Sequence, residues 1–128
     1  MLLVLCVDLD DDVGRKTGSS TPVVGVDAVR EAAVDLATVD PEDSDLNVMF
    51  QGISTYNDLR EEGDEAVEVA VVTGTEGSDI KANREIGDEI DTVLASLQTG
   101  EEVRAIIITD GAQDESVVPI IRSRMPID

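Results

Sequence analysis

Val4-Leu5-Cys6-Val7-Asp8-Leu9-Asp10-Asp11-Asp12 is an apolar run that ends in four carboxylates within five residues. A parallel strand buried on both faces needs apolar side chains in every position, so the acidic cluster marks where such a strand leaves its sheet. In α/β proteins that edge, outside the carboxyl ends of the strands, is where ligands bind. Like charges held this close repel one another. A divalent cation, a basic partner or plain exposure to salty water relieves them.

Two more runs, 67–73 and 103–109, have strand length and are rich in β-branched residues. Polar or glycine turns follow all three: residues 8–12, 74–77 and Asp110-Gly111. Helical patterns lie between them. Val26, Val29, Ala33 and Leu36 form one apolar stripe. Asp40-Pro41-Glu42-Asp43 reads as a helix start with Asp40 as cap and Pro41 in the first turn. Leu46, Met49, Phe50, Ile53, Tyr56 and Leu59 continue that helix, and Gly63 stops it. Another spans about 80–98, and a short one follows Asp114 with Pro119 near its first turns. This order predicts a three-layer α/β fold, a mostly parallel, Rossmann-like sheet of three to four strands flanked by helices. Residues 1–128 form one soluble domain in this reading. Residues 124–128 read as the approach to a further strand, and the chain as an excised domain or one that ends as another segment begins.

The core must be aliphatic, because Phe50 and Tyr56 are the only aromatic residues. Charge is extreme: 29 acidic against 9 basic residues, a formal net charge of −20. Nucleic-acid backbones are repelled by such a surface. Strong Val/Ile/Leu runs argue against disorder, and a halophile cytosol explains the charge. At about 1 M salt the Debye length falls to roughly 3 Å, which screens the self-repulsion. Cys6 is alone on the first apolar run and reads as a buried, inert thiol in a reducing compartment. Residues 2–7 are too few to cross a bilayer.

All three strand ends of a parallel sheet lie along one edge, so their loops converge. They bring Asp8, Asp10, Asp11 and Asp12 toward Thr73 and Gly74, and toward Thr109, Asp110 and Gly111 with Asp114 and Glu115 behind. Asp8, Asp10, Asp110 and Asp114 are the candidate metal ligands. Oxygen ligands of this kind suit Mg²⁺ or Mn²⁺. Histidine is absent, which excludes a His-based zinc or iron site and a Ser-His hydrolase. The loop Gly14-Arg15-Lys16-Thr17-Gly18-Ser19-Ser20 combines glycines with an adjacent basic pair. Gly14, Arg15 and Lys16, with Thr73 and Gly74, are candidates to cradle a phosphate, although the spacing is not that of a P-loop. Helix capping, turn formation and halophilic surface charge also account for the aspartates, and an ion pair with them accounts for Arg15 and Lys16.

The run Asp8-Leu-Asp10-Asp11-Asp12-Val-Gly14-Arg-Lys16, with Asp40-Pro41-Glu42-Asp43-Ser44-Asp45, Thr73-Gly74, Asp110-Gly111-Ala-Gln-Asp114-Glu115 and the segment from Pro119 to Asp128, resembles an archaeal membrane-protein family of uncharacterised function, domain of unknown function 373. The resemblance covers essentially the whole chain. It implies a soluble, cytosolic N-terminal domain at the cytoplasmic face of the membrane, followed by transmembrane helices in a C-terminal region absent from this chain. A weaker similarity is to haloacid-dehalogenase-like phosphatases. It implies Asp8 as nucleophile, Asp10 as acid/base, Thr73 as phosphate-binding hydroxyl, Lys81 as the lysine, and Asp110 with Asp114 as metal ligands. Asp12 departs from that pattern, and three strands are few for that fold.

The leading expectation is a binding or regulatory module of a halophilic archaeal membrane protein, whose acidic crevice takes Mg²⁺ and a phosphorylated ligand. A Mg²⁺-dependent phosphatase or phosphotransferase using Asp8 and Asp10 is the enzyme alternative. The structural alternative is an assembly domain, and open sheet edges would admit a second copy as a homo-oligomer.

Overall fold

The computed structural model describes residues 1–111 and 114–128. Ala112 and Gln113, inside the motif from Asp110 to Glu115, lie outside the described residues. In chain order the elements are β1 (Leu2–Asp8), α1 (Asp12–Thr17), β2 (Val23–Val24), α2 (Val26–Val39), α3 (Asp45–Glu62), β3 (Val67–Thr73), α4 (Asp79–Leu97), β4 (Arg104–Ile108) and α5 (Asp114–Arg122).

Every residue of β1 is buried, and the strand sits in the middle of the sheet, paired in parallel with β3 on one side and β4 on the other. The two-residue β2 pairs antiparallel with β3 and makes the strand order β2-β3-β1-β4. The sheet is therefore mixed, which corrects the expectation of a mostly parallel one. Two apolar residues, Val23 and Val24, are too short a run to read as a strand, and they turn back along β3 before α2 begins.

Side chains alternate across β1 and feed two cores. Val4 and Cys6 pack with Val69, Val71 and the inner faces of α2 and α3. Leu3, Leu5 and Val7 pack with Ala70, Val72 and the inner faces of α4 and α5. Each fully buried Leu or Ile contributes roughly 1.5–3 kcal/mol by leaving water. Gly52 lets α3 approach β1, since a Cβ there would lie 2.3 Å from the Cys6 sulfur. The thiol is buried, and desolvation pushes its pKa up to about 12, so it stays protonated.

Other departures from the sequence reading have local causes. Residues 12–17, expected as loop, form α1: the carboxylate of Asp8 accepts the N–H groups of Asp12 and Val13, and that of Asp11 accepts the N–H of Gly14. Those bonds satisfy the first-turn donors a helix leaves open. Asp11 itself takes a left-handed conformation, φ 58°. The helix expected from Pro41 begins at Asp45, because Asp43 folds back to accept the Asp45 N–H while Lys16 holds Asp40 and Asp43 in place. Past α5, the backbone of Pro126 and Asp128 bonds to Ala105, so residues 126–128 lie beside β4. Both edges on which self-association was expected are thus partly covered. Among the described residues no helix is long and apolar enough to cross a membrane.

Candidate functional site

β1 is followed by chain that returns on the α2/α3 face, whereas β3 leads into α4 on the other face before β4 is laid down beside β1. The connections therefore diverge between β1 and β4. A crevice opens where neighbouring strands send their connections to opposite faces, and that is where α/β sheets hold ligands. A recess of about 100 Å³ occupies this position. That volume accommodates an ion with several waters.

Each wall supplies oxygen. The end of β1 gives Asp8 and Asp10, α1 gives Asp12, the start of α3 gives Ser44 and Asp45, and the end of β4 gives Thr109 and Asp110. One carboxylate oxygen from each of Asp8, Asp12 and Asp45 lies within 4.8 Å of the other two. Mg²⁺ at about 2.1 Å spans oxygens up to about 4.2 Å apart, and Ca²⁺ spans about 5 Å. Three oxygens equally spaced at that outer limit lie about 2.8 Å from their common centre, so they close by a few tenths of an ångström around Ca²⁺ and by roughly 0.7 Å around Mg²⁺.

The electrostatics of the trio are uneven. Asp45 is 7% exposed, and burial, then the charge of Asp8 and hydrogen bonds to Asp8 and Asp12, push its pKa up to about 10. It therefore carries a proton at neutral pH and shares it with its neighbours. Burial also raises Asp8, against the opposing pull of the Val13 and Asp12 N–H groups and of Asp45. Asp12 is raised by burial and by its hydrogen bond with Asp43. Burial would raise Asp43 too, but the hydrogen bond from Lys16 and the Asp45 N–H carry it below the usual carboxylate range. Among the described residues, no Lys or Arg forms an ion pair with Asp8 or Asp45, whereas Asp12 lies 2.5 Å from Arg15.

The other candidates from the sequence are distributed as follows. Asp8, Asp10 and Asp110 line the recess. Asp114 lies behind it and accepts a 2.7 Å hydrogen bond from the Thr109 hydroxyl. Lys16 is held by Asp40 at 2.8 Å and Asp43 at 2.6 Å, and these hydrogen bonds raise its pKa. Arg15 faces Asp12 and Glu76. The N–H groups of Gly14 and Gly18 are bonded to Asp11 and Gly14, so the segment from Gly14 to Lys16 works as a braced helix. Thr73 is buried away from the recess and donates to Glu89, and Gly74 makes a close approach to the Leu9 carbonyl. Sequence reasoning placed Asp12 in the converging loops but not among the metal ligands, and it missed Asp45 altogether. The signal for Asp45 was the acid-rich segment 40–45, read there as the first turn of a helix.

The family profile for the domain of unknown function (DUF373) matches residues 1–128. An uncharacterized protein of Archaeoglobus fulgidus is 46% identical over 126 residues, which cover 98% of this chain and 36% of that protein. An uncharacterized protein of Methanocaldococcus jannaschii is 34% identical over 123 residues, covering 95% of this chain and 32% of that protein. The chain thus spans about a third of the length of these curated relatives. No solved structure matches it.

Proposed function

The chain belongs to the archaeal family described as domain of unknown function (DUF373), and from that premise we propose that it is a binding or regulatory domain whose acidic recess holds Mg²⁺ or Mn²⁺ and presents it to a phosphorylated ligand. The observation that carries this reading is the convergence of Asp8, Asp12 and Asp45 within 4.8 Å at the divergence of connections between β1 and β4. Three carboxylates brought so close from three elements repel one another unless protonated or bound to a cation. Hard oxygen ligands favour Mg²⁺ and Mn²⁺, and coordination positions left open suit phosphoryl oxygens.

The Rossmann-like reading belongs to this proposal, supported by the parallel trio β3-β1-β4 with helices on both faces. So does placement at the cytoplasmic face of the membrane in a halophile. The net charge of −20 supports the halophilic part, and the two thirds of the relatives' length outside this chain would carry the membrane spans. Binding is preferred over phosphotransfer because both oxygens of Asp8 already accept N–H groups from α1, which suits a fixed ligand better than an attacking nucleophile.

Calorimetric titration of Mg²⁺ and Mn²⁺ in concentrated KCl tests the reading. Saturable binding is expected, weakened at least tenfold in Asp8→Asn and Asp45→Asn. Proton release should accompany it at pH 7, because the cation must displace the proton on Asp45. Absent binding, or binding unchanged in both variants, would return the aspartates to surface chemistry.

A further inference from the structure

Cations are scarce in this chain and most are committed. Arg15, Lys16, Arg30, Arg104 and Arg124 stand in ion pairs, and Arg60 lies over the Tyr56 ring. Of the nine basic residues, Lys81, Arg84 and Arg122 remain. Among the described residues, no carboxylate oxygen comes within 4.0 Å of Lys81 or Arg84. With 29 acidic residues available, two neighbouring cations without an ion pair among the described residues are unexpected.

Both line one cleft of about 380 Å³, the size of small-molecule sites. Lys81 and Arg84 are three apart on α4, so they present their charges on adjacent turns of one face. The β3–α4 connection contributes Gly74 and Thr75 to the wall. Gly74 has to be bare, since a Cβ there would sit 2.1 Å from the Leu9 carbonyl oxygen. Glu89 closes the inner side, with its oxygens taken by the Thr73 N–H at 2.9 Å, the Thr73 hydroxyl at 2.8 Å and the Thr21 hydroxyl at 3.1 Å. It is thereby tied to the scaffold and does not reach the two cations. Asp11 and Glu85 complete the rim as acceptors.

We propose that this cleft binds a small phosphorylated polyol, with the phosphoryl group between Lys81 and Arg84 and the hydroxyls on Asp11 and Glu85. A guanidinium grips phosphoryl oxygens through paired N–H donors while an ammonium adds a compact charge. A bare sulfate-like anion would use the cations but leave the rim acceptors facing it unfavourably, so a ligand with its own donors fits better. The cleft contains none of Asp8, Asp12 and Asp45, and its occupancy does not depend on a metal.

The experiment is titration of inorganic phosphate and, separately, glycerol 1-phosphate into the chain in concentrated KCl with EDTA. Saturable binding is expected, tighter for glycerol 1-phosphate, and at least tenfold weaker in Lys81→Gln and in Arg84→Gln. Both side chains are exposed, so both variants should keep the wild-type circular dichroism and the wild-type Mg²⁺ titration. No saturable binding of either probe, or binding unchanged in both variants, would overturn the proposal. Binding that requires Mg²⁺ and disappears in Asp45→Asn would overturn it as well, by assigning the phosphate to the acidic recess. Inorganic phosphate binding at least as tightly as glycerol 1-phosphate would overturn the role given to Asp11 and Glu85.

Discussion

Asp45 links the recess to stability. Its folded-state pKa of about 10 lies far above the ordinary carboxylate value, so between about pH 4 and pH 10 the folded chain binds a proton that the unfolded chain has released. Stability contributed this way is present at low pH and declines as pH rises through that window. In the absence of divalent cations Tm should fall from pH 5 to pH 9. Asp45→Asn, which keeps the neutral shape, should flatten the slope and raise Tm at pH 8. Salt and the opening to water hold the gain to on the order of 1 kcal/mol, roughly 3–5 °C for a chain of this size. Thermal melts across pH check both statements, and a wild-type Tm that rises over the same range would refute the protonated state. The placement of Asp8, Asp10 and Asp110 along one recess was legible because parallel strands must deliver their ends to one edge. Asp45 was not, since it enters from the first residue of a helix whose start the sequence placed four residues too early.

Among the elements, those with long periodic patterns were read correctly and those made by capping or by very short pairing were not. The apolar stripes of α2 and α4 and the runs of β1, β3 and β4 follow from periodicity, which depends on many residues at once. α1 is six residues with a glycine inside, and exists because Asp8 and Asp11 turn back onto its N–H groups. No periodicity reports such bonds. The contact between α3 and β1 was also hidden, because the apolar stripe of α3 carries no mark of the close approach at Gly52. Its replacement by alanine sets a methyl 2.3 Å from the Cys6 sulfur, so helix and strand must part. Gly52→Ala should cost about 1–3 kcal/mol, the usual range for overpacking. Urea unfolding measures it. Adding Cys6→Ala should recover part of the loss, a coupling that helix propensity alone would not produce.

For the whole molecule, charge is the dominant quantity. Of its 29 acidic residues only Asp8, Asp43, Asp45 and Glu89 are buried among the described ones, so repulsion is almost entirely a surface property. Surface repulsion is screened as the Debye length drops from about 10 Å at 0.1 M salt to about 3 Å at 1 M. Tm should therefore climb by several degrees between 0.1 and 2 M KCl, and a melt independent of KCl would contradict the halophilic reading. Composition makes this expectation legible without any structure. The layering was legible too, through apolar residues on both faces of β1, whereas the antiparallel β2 was not.

That small strand, with the backbone of residues 126–128 on the opposite side, has a consequence for how such chains meet one another. An uncovered strand edge is a template on which other polypeptides add strand after strand, the first step toward fibrils. Here the Val71 and Ala70 positions of β3 and the Ala105 position of β4 are already engaged from within. Acidification toward the pI of about 4.1 removes the charge that keeps molecules apart, yet leaves these positions occupied. Precipitation under those conditions would then begin through side chains and dissolve again on neutralisation, because the middle of the β3 edge and the start of the β4 edge are closed to an incoming strand.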